Sequence, residues 1–352
     1  MTISNVSTQY LASSLALTVA QTQSQLATAT TESSTGQYAD LGLQLGEQSG
    51  YELSLKNHAN LLQALTDANN IVSTNLSTTQ STLDAIRSNA QSTLQSLTQW
   101  GTGTGAGGTL HSLGVSSLQS LISAANTTSA GQYIFGGINS NVAPMADYFS
   151  TPTSQAKTDI DNAFQSAFGT SPNGAGASSI TASQMQQFLD NQFASLFQGS
   201  SWSSDWSSAS STNVSNQIAP GETIDTGTNA NQPGFQQLAQ AFAMLTEFGG
   251  TSLSQAAQQA VASTASSLIT SALGSLTQTE AIVGEAQSRI TDANNSMSSQ
   301  MTILQTQIGN LDNVDSYKVA TEVDTLTTQL QAAYQLTAQL QQLSLAKYLP
   351  VA

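Results

Sequence analysis

Cysteine is absent from all 352 residues, which excludes disulfides, thiolate metal sites and cysteine nucleophiles. Charge is scarce as well. Only 8% of residues are Asp, Glu, Lys or Arg, against roughly 25% in an ordinary soluble domain. Six basic residues face twenty-one acidic ones, for a net charge of −15. So few cations leave little to displace phosphate counterions or to dock on anionic lipid. Neither nucleic acid nor membrane is therefore an expected partner. No apolar run is long enough to span a bilayer. No basic segment opens the chain, whose first lysine is Lys56, so a cleaved secretory leader is not expected.

Polarity is carried instead by Ser, Thr, Gln and Asn. Disorder normally shows high charge with few apolar residues, and this chain shows neither. Proline is missing from long stretches: Pro144 is the first, Pro152, Pro172, Pro220 and Pro233 follow, and Pro350 is the last. Both flanks thus lack the strongest helix breaker. All ten phenylalanines lie between Phe135 and Phe248. These two distributions predict a helical frame, 1–130 with 250–350, around an insert that has its own aromatic core.

The flanks repeat every seven residues. Leu55, Leu62, Asn69, Leu76, Leu83, Ala90 and Leu97 form one row, and His58, Leu65, Val72, Thr79, Ile86, Thr93 and Trp100 its companion. Such a and d rows signal a coiled coil. In the second flank Ile269, Leu276, Val283, Ile290, Met297, Leu304 and Leu311 continue without a polar break. At 1.5 Å per residue each helix runs roughly 65–70 Å, and matched lengths predict that they pack on each other. The rod core is expected at Leu62, Leu76, Leu83, Leu97, Val283, Ile290 and Leu304. Asn69 is either a register-setting polar contact or a tolerated exception.

Two further amphipathic segments lie outside this pair. One spans about 2–34, with Ile3, Val6, Tyr10, Leu17 and Ala20 on a stripe. The other spans about 316–348, with Val319, Val323, Leu326, Leu330, Ala333 and Leu340. Gly36 and Gly42 are expected to break the first from the long helix. No acidic or basic side chain precedes Glu32, and none lies between Thr325 and Ala346. A surface helix of a monomer normally carries charges on its wet face. In a homopolymer every copy would bring the same charge to the same contact, and burying like charges is costly. Neutral polar faces suit burial against copies of the same chain.

Residues 101–110 read as a flexible link before a helix at about 111–129, and 131–150 as a short strand, a turn and an extended stretch. Helices are expected near 155–168, 182–198 and 234–247, with extended or irregular chain over 200–231. The predicted fold is mainly α, a long antiparallel helical bundle from both chain ends with a small α/β insert. The expected divisions are 1–42 and 313–352 as terminal helices, 43–140 and 251–312 as the rod, and 141–250 as the insert.

Chemistry-bearing patterns weigh toward packing. Gly103 to Gly108 matches G-x-G-x-x-G, but a helix precedes it where a strand is needed, so it reads as a linker. His58 sits on a heptad row and reads as packed or partly exposed; His111 sits at a helix start. No paired histidines suggest zinc. Asp159, Asp161 and Asp190 lack the dense spacing of a calcium loop. Trp202 and Trp206 read as core rather than as ligand platforms. No catalytic residue, metal or cofactor is expected, and the chain is read as a structural protein, not an enzyme.

Several stretches now carry a resemblance. TISNVSTQYLASSL, TTESSTGQYADLG and NTTSAGQYIFGGINSNVAPM resemble the N-terminal half of bacterial flagellin-like proteins, and DSYKVATEVDTLTTQLQAAYQLTAQLQQLSLAKYL resembles their C-terminal half. The close QLSLAKYL and the run GQYIFGG with APM resemble the hook-associated branch of that family. The resemblance implies export through the flagellar type III apparatus with the aid of a chaperone. It implies an extracellular flagellar location and terminal helices that become an inner coiled-coil tube on assembly. The partners it implies are copies of the chain, a neighbouring hook-associated protein and flagellin. By match to the terminal motifs, Ile3, Val6, Tyr10, Leu17, Val323, Leu326, Leu330, Leu340 and Leu343 would line subunit contacts. The implied role is a junction between hook and filament. Filament flagellin, or a secreted type III translocator or adhesin, are the alternatives. One departure stands out: the acidic stretch common after S-T-G is reduced to Asp40, so the turn there is expected to differ.

Overall fold

The computed structural model describes residues 3–101, 108–250 and 252–346, apart from the side chains of 3–9, 108–109 and 341–346. The chain divides into two compact units: residues up to Gln63 together with those from Ser298 onward, and residues Ala64–Met297. The expected boundaries lie at turns, whereas these units divide inside the two longest helices. Among the described residues, no helix is long and apolar enough to cross a membrane.

In the first unit, α1 (Ile3–Thr35) and α10 (Ser316–Ala346) run antiparallel. Gln23 Nε2 donates to the Tyr334 hydroxyl at 2.6 Å, and Val314 N donates to Gly36 O at 3.0 Å. The inner stripe of α1 is Leu15, Val19, Thr22, Leu26 and Ala29. That of α10 is Val319, Val323, Leu326, Leu330, Ala333, Thr337 and Leu340. Both advance by alternating threes and fours, the spacing that keeps one helix face inward. Only Thr22 and Ala29 on α1, and Val319 and Leu326 on α10, are buried rather than half-buried. The seam is thin.

Gly36, with φ +72°, ends α1 in the left-handed region that favours glycine. Gly42 does not break the chain. It lies within α2 (Leu41–Leu45), whose N-cap Asp40 accepts a hydrogen bond from Leu43 N at 2.9 Å. The second break is Gly46, at φ +50°, just before α3 (Ser49–Gln99). The single acid of the departed motif is thus a helix cap. Backbone pairing of Gln37 with Asn313 and donation from Tyr38 N to Asp312 O at 3.0 Å close the turn.

In the second unit α3 and α9 (Gln255–Asp312) run antiparallel. Asn69 Nδ2 donates to Asn294 Oδ1 and to Ile218 O, each at 2.8 Å. The Arg87 guanidinium meets the Glu280 carboxylate at 3.0 Å. Asn69 is therefore a specific polar contact between the helices. Along the a row, Leu55, Leu62, Asn69, Leu76, Leu83, Ala90 and Leu97 are all buried. The companion row is buried only at Thr79, Ile86 and Thr93; His58 is exposed and Leu65, Val72 and Trp100 are half-buried. A seven-residue repeat drifts on a straight helix of 3.6 residues per turn, so two rows need not stay covered throughout.

The helix α4 (Gly108–Ala125) packs antiparallel on α8 (Pro233–Phe248). Gly114 permits their approach, since a Cβ there would fall 2.4 Å from Thr246 N. A two-residue hairpin pairs β1 (Thr128–Ser129) with β2 (Gln132–Tyr133). The insert follows. Its α5 (Gln155–Phe168) is capped by Ser154, and α6 (Ala182–Phe188) opens on a Thr181–Gln184 capping box. The helix expected over 182–198 instead widens to a π-turn at Leu189–Phe193. Bonding from i to i+5 loosens the turn, which lets Phe188 and Phe193, five apart, share one core with ring centroids 6.0 Å apart. A short α7 (Gly199–Ser201) and a π-turn at Trp202–Trp206 occupy the start of the stretch expected to be extended. Burying both indoles, stacked at 6.1 Å, favours that coil over a strand. Strands β3 (Ser215–Ala219) and β4 (Glu222–Asp225) then form an antiparallel hairpin with an irregularity at Gln217–Ala219. The aromatic core joins Phe164, Phe188, Phe193 and Phe248 to Phe197, Trp206 and Tyr148.

Candidate assembly faces

The residues expected at subunit contacts fall on two different sides of the α1–α10 pair. Tyr10 is 76% exposed and Leu17 64%. They lie seven residues apart, hence on one outward face. Leu326 is buried, and Val323, Leu330 and Leu340 are half-buried on the inner stripe, where they belong to the seam within the chain. The side chains of Ile3, Val6 and Leu343 lie outside the described residues. The rod residues Leu62 and Leu304 of the first unit, and Leu76, Leu83, Leu97, Val283 and Ile290 of the second, are buried.

Other large apolar side chains are exposed without having been singled out. Tyr317 and Leu43 are each 85% exposed, and Leu11, Tyr51, Leu53 and Leu336 are also open to solvent. All belong to the first unit. Tyr51 continues the companion row of α3 seven residues before His58, but Tyr317, Leu43, Leu53 and Leu336 sit off such stripes, so periodicity hides them. Of these, only Leu11 and Leu336 lie in the stretches without acidic or basic side chains.

Four of the described basic side chains meet carboxylates of the same chain. Lys56 bridges the Glu52 and Asp312 carboxylates, 2.7 Å from the latter, and Asp312 is only 1% exposed. Hydrogen bonding to Asp312, then to Glu52, holds the Lys56 ammonium above the usual lysine range. Burial raises the Glu280 carboxyl, against the pull of Arg87. Tyr148 donates to Glu247 at 2.8 Å, and Lys157 meets the other oxygen of that carboxylate at 2.7 Å. Burial foremost, and the Glu247 charge next, push the Tyr148 phenol far above its ordinary range. Burial likewise raises Asp161, against Lys157. A cavity of about 660 Å³ opens beside this set, but its polar groups already satisfy one another.

Catalytic patterns do not assemble among the described residues. No three His, Asp or Glu side chains are placed to hold a metal ion. His111 Nδ1 contacts Thr246 O at 2.6 Å, a packing role. Trp202 and Trp206 are buried, and Trp202 Nε1 donates to Asn231 at 2.8 Å. Asp159 and Asp190 accept from Gln155 and Gln186 four residues before them. The glycine-rich stretch at Gly103 lies outside the described residues.

Two sparsely charged terminal helices pair thinly and bear outward apolar side chains, and two longer helices form an antiparallel pair. This arrangement coincides with two sequence families. The bacterial flagellin N-terminal helical region matches residues 6–140. The bacterial flagellin C-terminal helical region matches residues 266–349.

The chain belongs to the bacterial flagellin family.

Among solved structures, this flagellin-family chain is similar to a putative flagellar hook-associated protein from Vibrio parahaemolyticus. Identity is 13%, the match covers 75% of this chain and 97% of that one, and the TM-score is 0.51. At that identity the likeness concerns the fold. A Bacillus cereus FlgL structure aligns at 14% identity over 75% of this chain and 98% of that one, with a TM-score of 0.39. No curated protein matches the sequence. The two family regions leave 141–265 unmatched, which is close to the insert, whose aromatic side chains share one hydrophobic core with Leu76, Leu83 and Leu97 of the rod.

Proposed function

We propose that this chain is a hook-associated junction subunit, exported to the cell exterior, that links hook to filament by self-assembly of its terminal helices. Membership of the flagellin family supports a structural role in the flagellum. The fold it shares with a protein described as hook-associated supports the junction over the filament. One observation carries the assembly mechanism: α1 and α10 expose Tyr10, Leu17 and Tyr317 while burying little against each other. Helices in proteins owe most of their stability to tertiary packing of an apolar face. Copies of the chain supply the missing face, and neutral Ser, Thr and Gln then meet neutral neighbours without charge repulsion. The neighbours at the two rims are a further hook-associated protein and flagellin, and an export chaperone would shield the ends beforehand.

Deletion of the gene is the test. Loss of a junction subunit releases flagellin monomers into the medium from cells that still build hooks. Loss of a sole filament protein leaves capped hooks and no flagellin at all, the outcome that would assign the chain to the filament. Unchanged flagella with reduced attachment to host cells would favour an adhesin.

A further inference from the structure

The cavity of about 660 Å³ lies wholly within the second unit, among α4, α5 and α8. Small-molecule sites occupy roughly 300–1,000 Å³. Its charged wall is Tyr148, Lys157 and Glu247, and these groups are satisfied without being saturated. Glu247 accepts from Tyr148 on one oxygen and from Lys157 on the other, and each oxygen keeps a second lone pair. Lys157 has three N–H donors. Its other carboxylate neighbour, Asp161, stands 3.7 Å away, so at least one donor stays open. The wall is held firmly from behind. Tyr148 is buried, stacked on Trp206 with centroids 5.2 Å apart and edge-on to Phe149 at 5.3 Å.

The rim adds polar groups without partners. Thr153 and Asn173 line the cavity and are exposed, and among the described residues their side chains make no hydrogen bond. Thr246 O can only accept, so His111 Nδ1 carries the proton and the neutral ring keeps Nε2 as an acceptor. Phe149 and Val115, both half-buried, supply apolar surface between these groups. Burial foremost raises both the Tyr148 phenol and the nearby Asp161 carboxyl, and such perturbed groups gather at functional sites. The whole stretch from Tyr148 to Glu247 lies outside the two flagellin regions.

Charge decides the class of ligand. An anion entering the cavity meets Glu247, and a cation meets Lys157 on the same wall. A neutral hydroxyl suffers neither penalty: it donates to a Glu247 oxygen while its own oxygen accepts from Lys157. Neighbouring hydroxyls find the Asn173 amide and the Thr153 hydroxyl, and C–H groups lie against Phe149 and Val115. We propose that this cavity binds a neutral sugar ring, either a free hexose or the terminal unit of a glycan, as a further function carried by the insert. The site is contained in one copy of the chain, so it stands or falls separately from the self-assembly reading.

The test titrates the full-length protein with glucose, galactose and mannose, each also as its methyl glycoside. Saturation-transfer NMR reads binding, and fluorescence gives a second readout because Trp206 stacks behind Tyr148. At least one hexose should bind with millimolar affinity, as suits a small polar ligand. Equal binding of its methyl glycoside supports the end of a glycan as the source, and loss on methylation supports a free sugar. Glucuronate and glucosamine should bind more weakly than the parent hexose. Asn173→Ala and Thr153→Val should each weaken binding about fivefold, the worth of one hydrogen bond. Both should melt with the wild type, since neither side chain has a partner to lose. Glu247→Gln should admit glucuronate better than the wild type does, because the repelling charge is gone. The proposal is overturned if no hexose shows saturable binding up to about 50 mM. It is equally overturned if both rim variants bind as the wild type does, or if a charged sugar binds more tightly than its neutral parent.

Discussion

Replacing Tyr10 and Leu17 together by glutamine should cripple polymerisation and leave the monomer intact. Glutamine keeps helix propensity close to that of leucine, so the change acts on the exposed face and not on α1 itself. Tyr10 is 76% exposed and Leu17 64%. Full burial of a large apolar side chain is worth about 1.5–3 kcal/mol. Scaling by the exposed fractions gives about 1–2 kcal/mol for each residue, and about 2–4 kcal/mol for the pair, available only when another copy covers them. At about 1.4 kcal/mol per decade, the critical concentration should rise from roughly 30-fold to several hundred-fold. Sedimentation of polymer at graded protein concentrations measures this directly, and circular dichroism melts report on the monomer. Leu326→Ala is the counterpart, because Leu326 is buried in the seam of the chain's own terminal pair. It should lower monomer helicity before assembly begins. The reasoning is refuted if the double glutamine variant melts earlier than wild type as a monomer, or polymerises at an unchanged concentration.

Four further substitutions probe the frame. Gly114→Ala should destabilise the second unit by about 1–3 kcal/mol in a denaturant titration, since the new Cβ meets backbone at 2.4 Å and 2.6 Å. Gly50→Ala, with nothing within 4 Å in α3, should stabilise by up to about 1 kcal/mol. Asn69→Leu should cost about 1–3 kcal/mol, because Ile218 O and Asn294 Oδ1 lose their donor inside the core; a melt within a degree of wild type would contradict the register role. For Lys56 the raised ammonium sets the sign. Its contribution is complete below the unfolded lysine value near 10.5 and disappears as pH rises through the higher folded value. Wild type should therefore lose stability above about pH 10.5, whereas Lys56→Met should start lower and lack that component of the alkaline loss.

The long helices were legible because their signals are redundant. Absent proline, continuous a rows and matched lengths all point one way, and such agreement across levels is what a sequence needs to specify a fold. The buried a row from Leu55 to Leu97 follows. The companion row illustrates the limit: His58 repeats in register yet is exposed, since a repeat gives phase and not the presence of a partner. The Gly36–Gly46 joint was read a few residues off because glycine marks possible left-handed chain, and only backbone geometry selects Gly46 over Gly42. In the insert the aromatic core was visible as composition, while the two π-turns were not. They exist to bring Phe193 and Trp206 inward, a tertiary demand with no local signature.

The exposed residues at the ends expose a subtler limit, and it bears on function. A stripe spaced by threes and fours identifies the face that seeks company, but α1 and α10 satisfy one another along their stripes. What remains for other copies is what lies off these inner stripes: Tyr10 and Leu17, on the other α1 row that the sequence shows, and Tyr317 and Leu336 on α10. A helix face that is apolar in places and neutral elsewhere is a poor monomer surface, because nothing on it holds water strongly. It is a good lattice surface, because nothing on it must be desolvated at the cost of a charge. The scarcity of charge and the scatter of exposed aromatic and leucine side chains are therefore one property. It follows that adding charge to the outer face of α1, at Ser14 or Gln21, should oppose assembly more strongly than removing any single apolar residue.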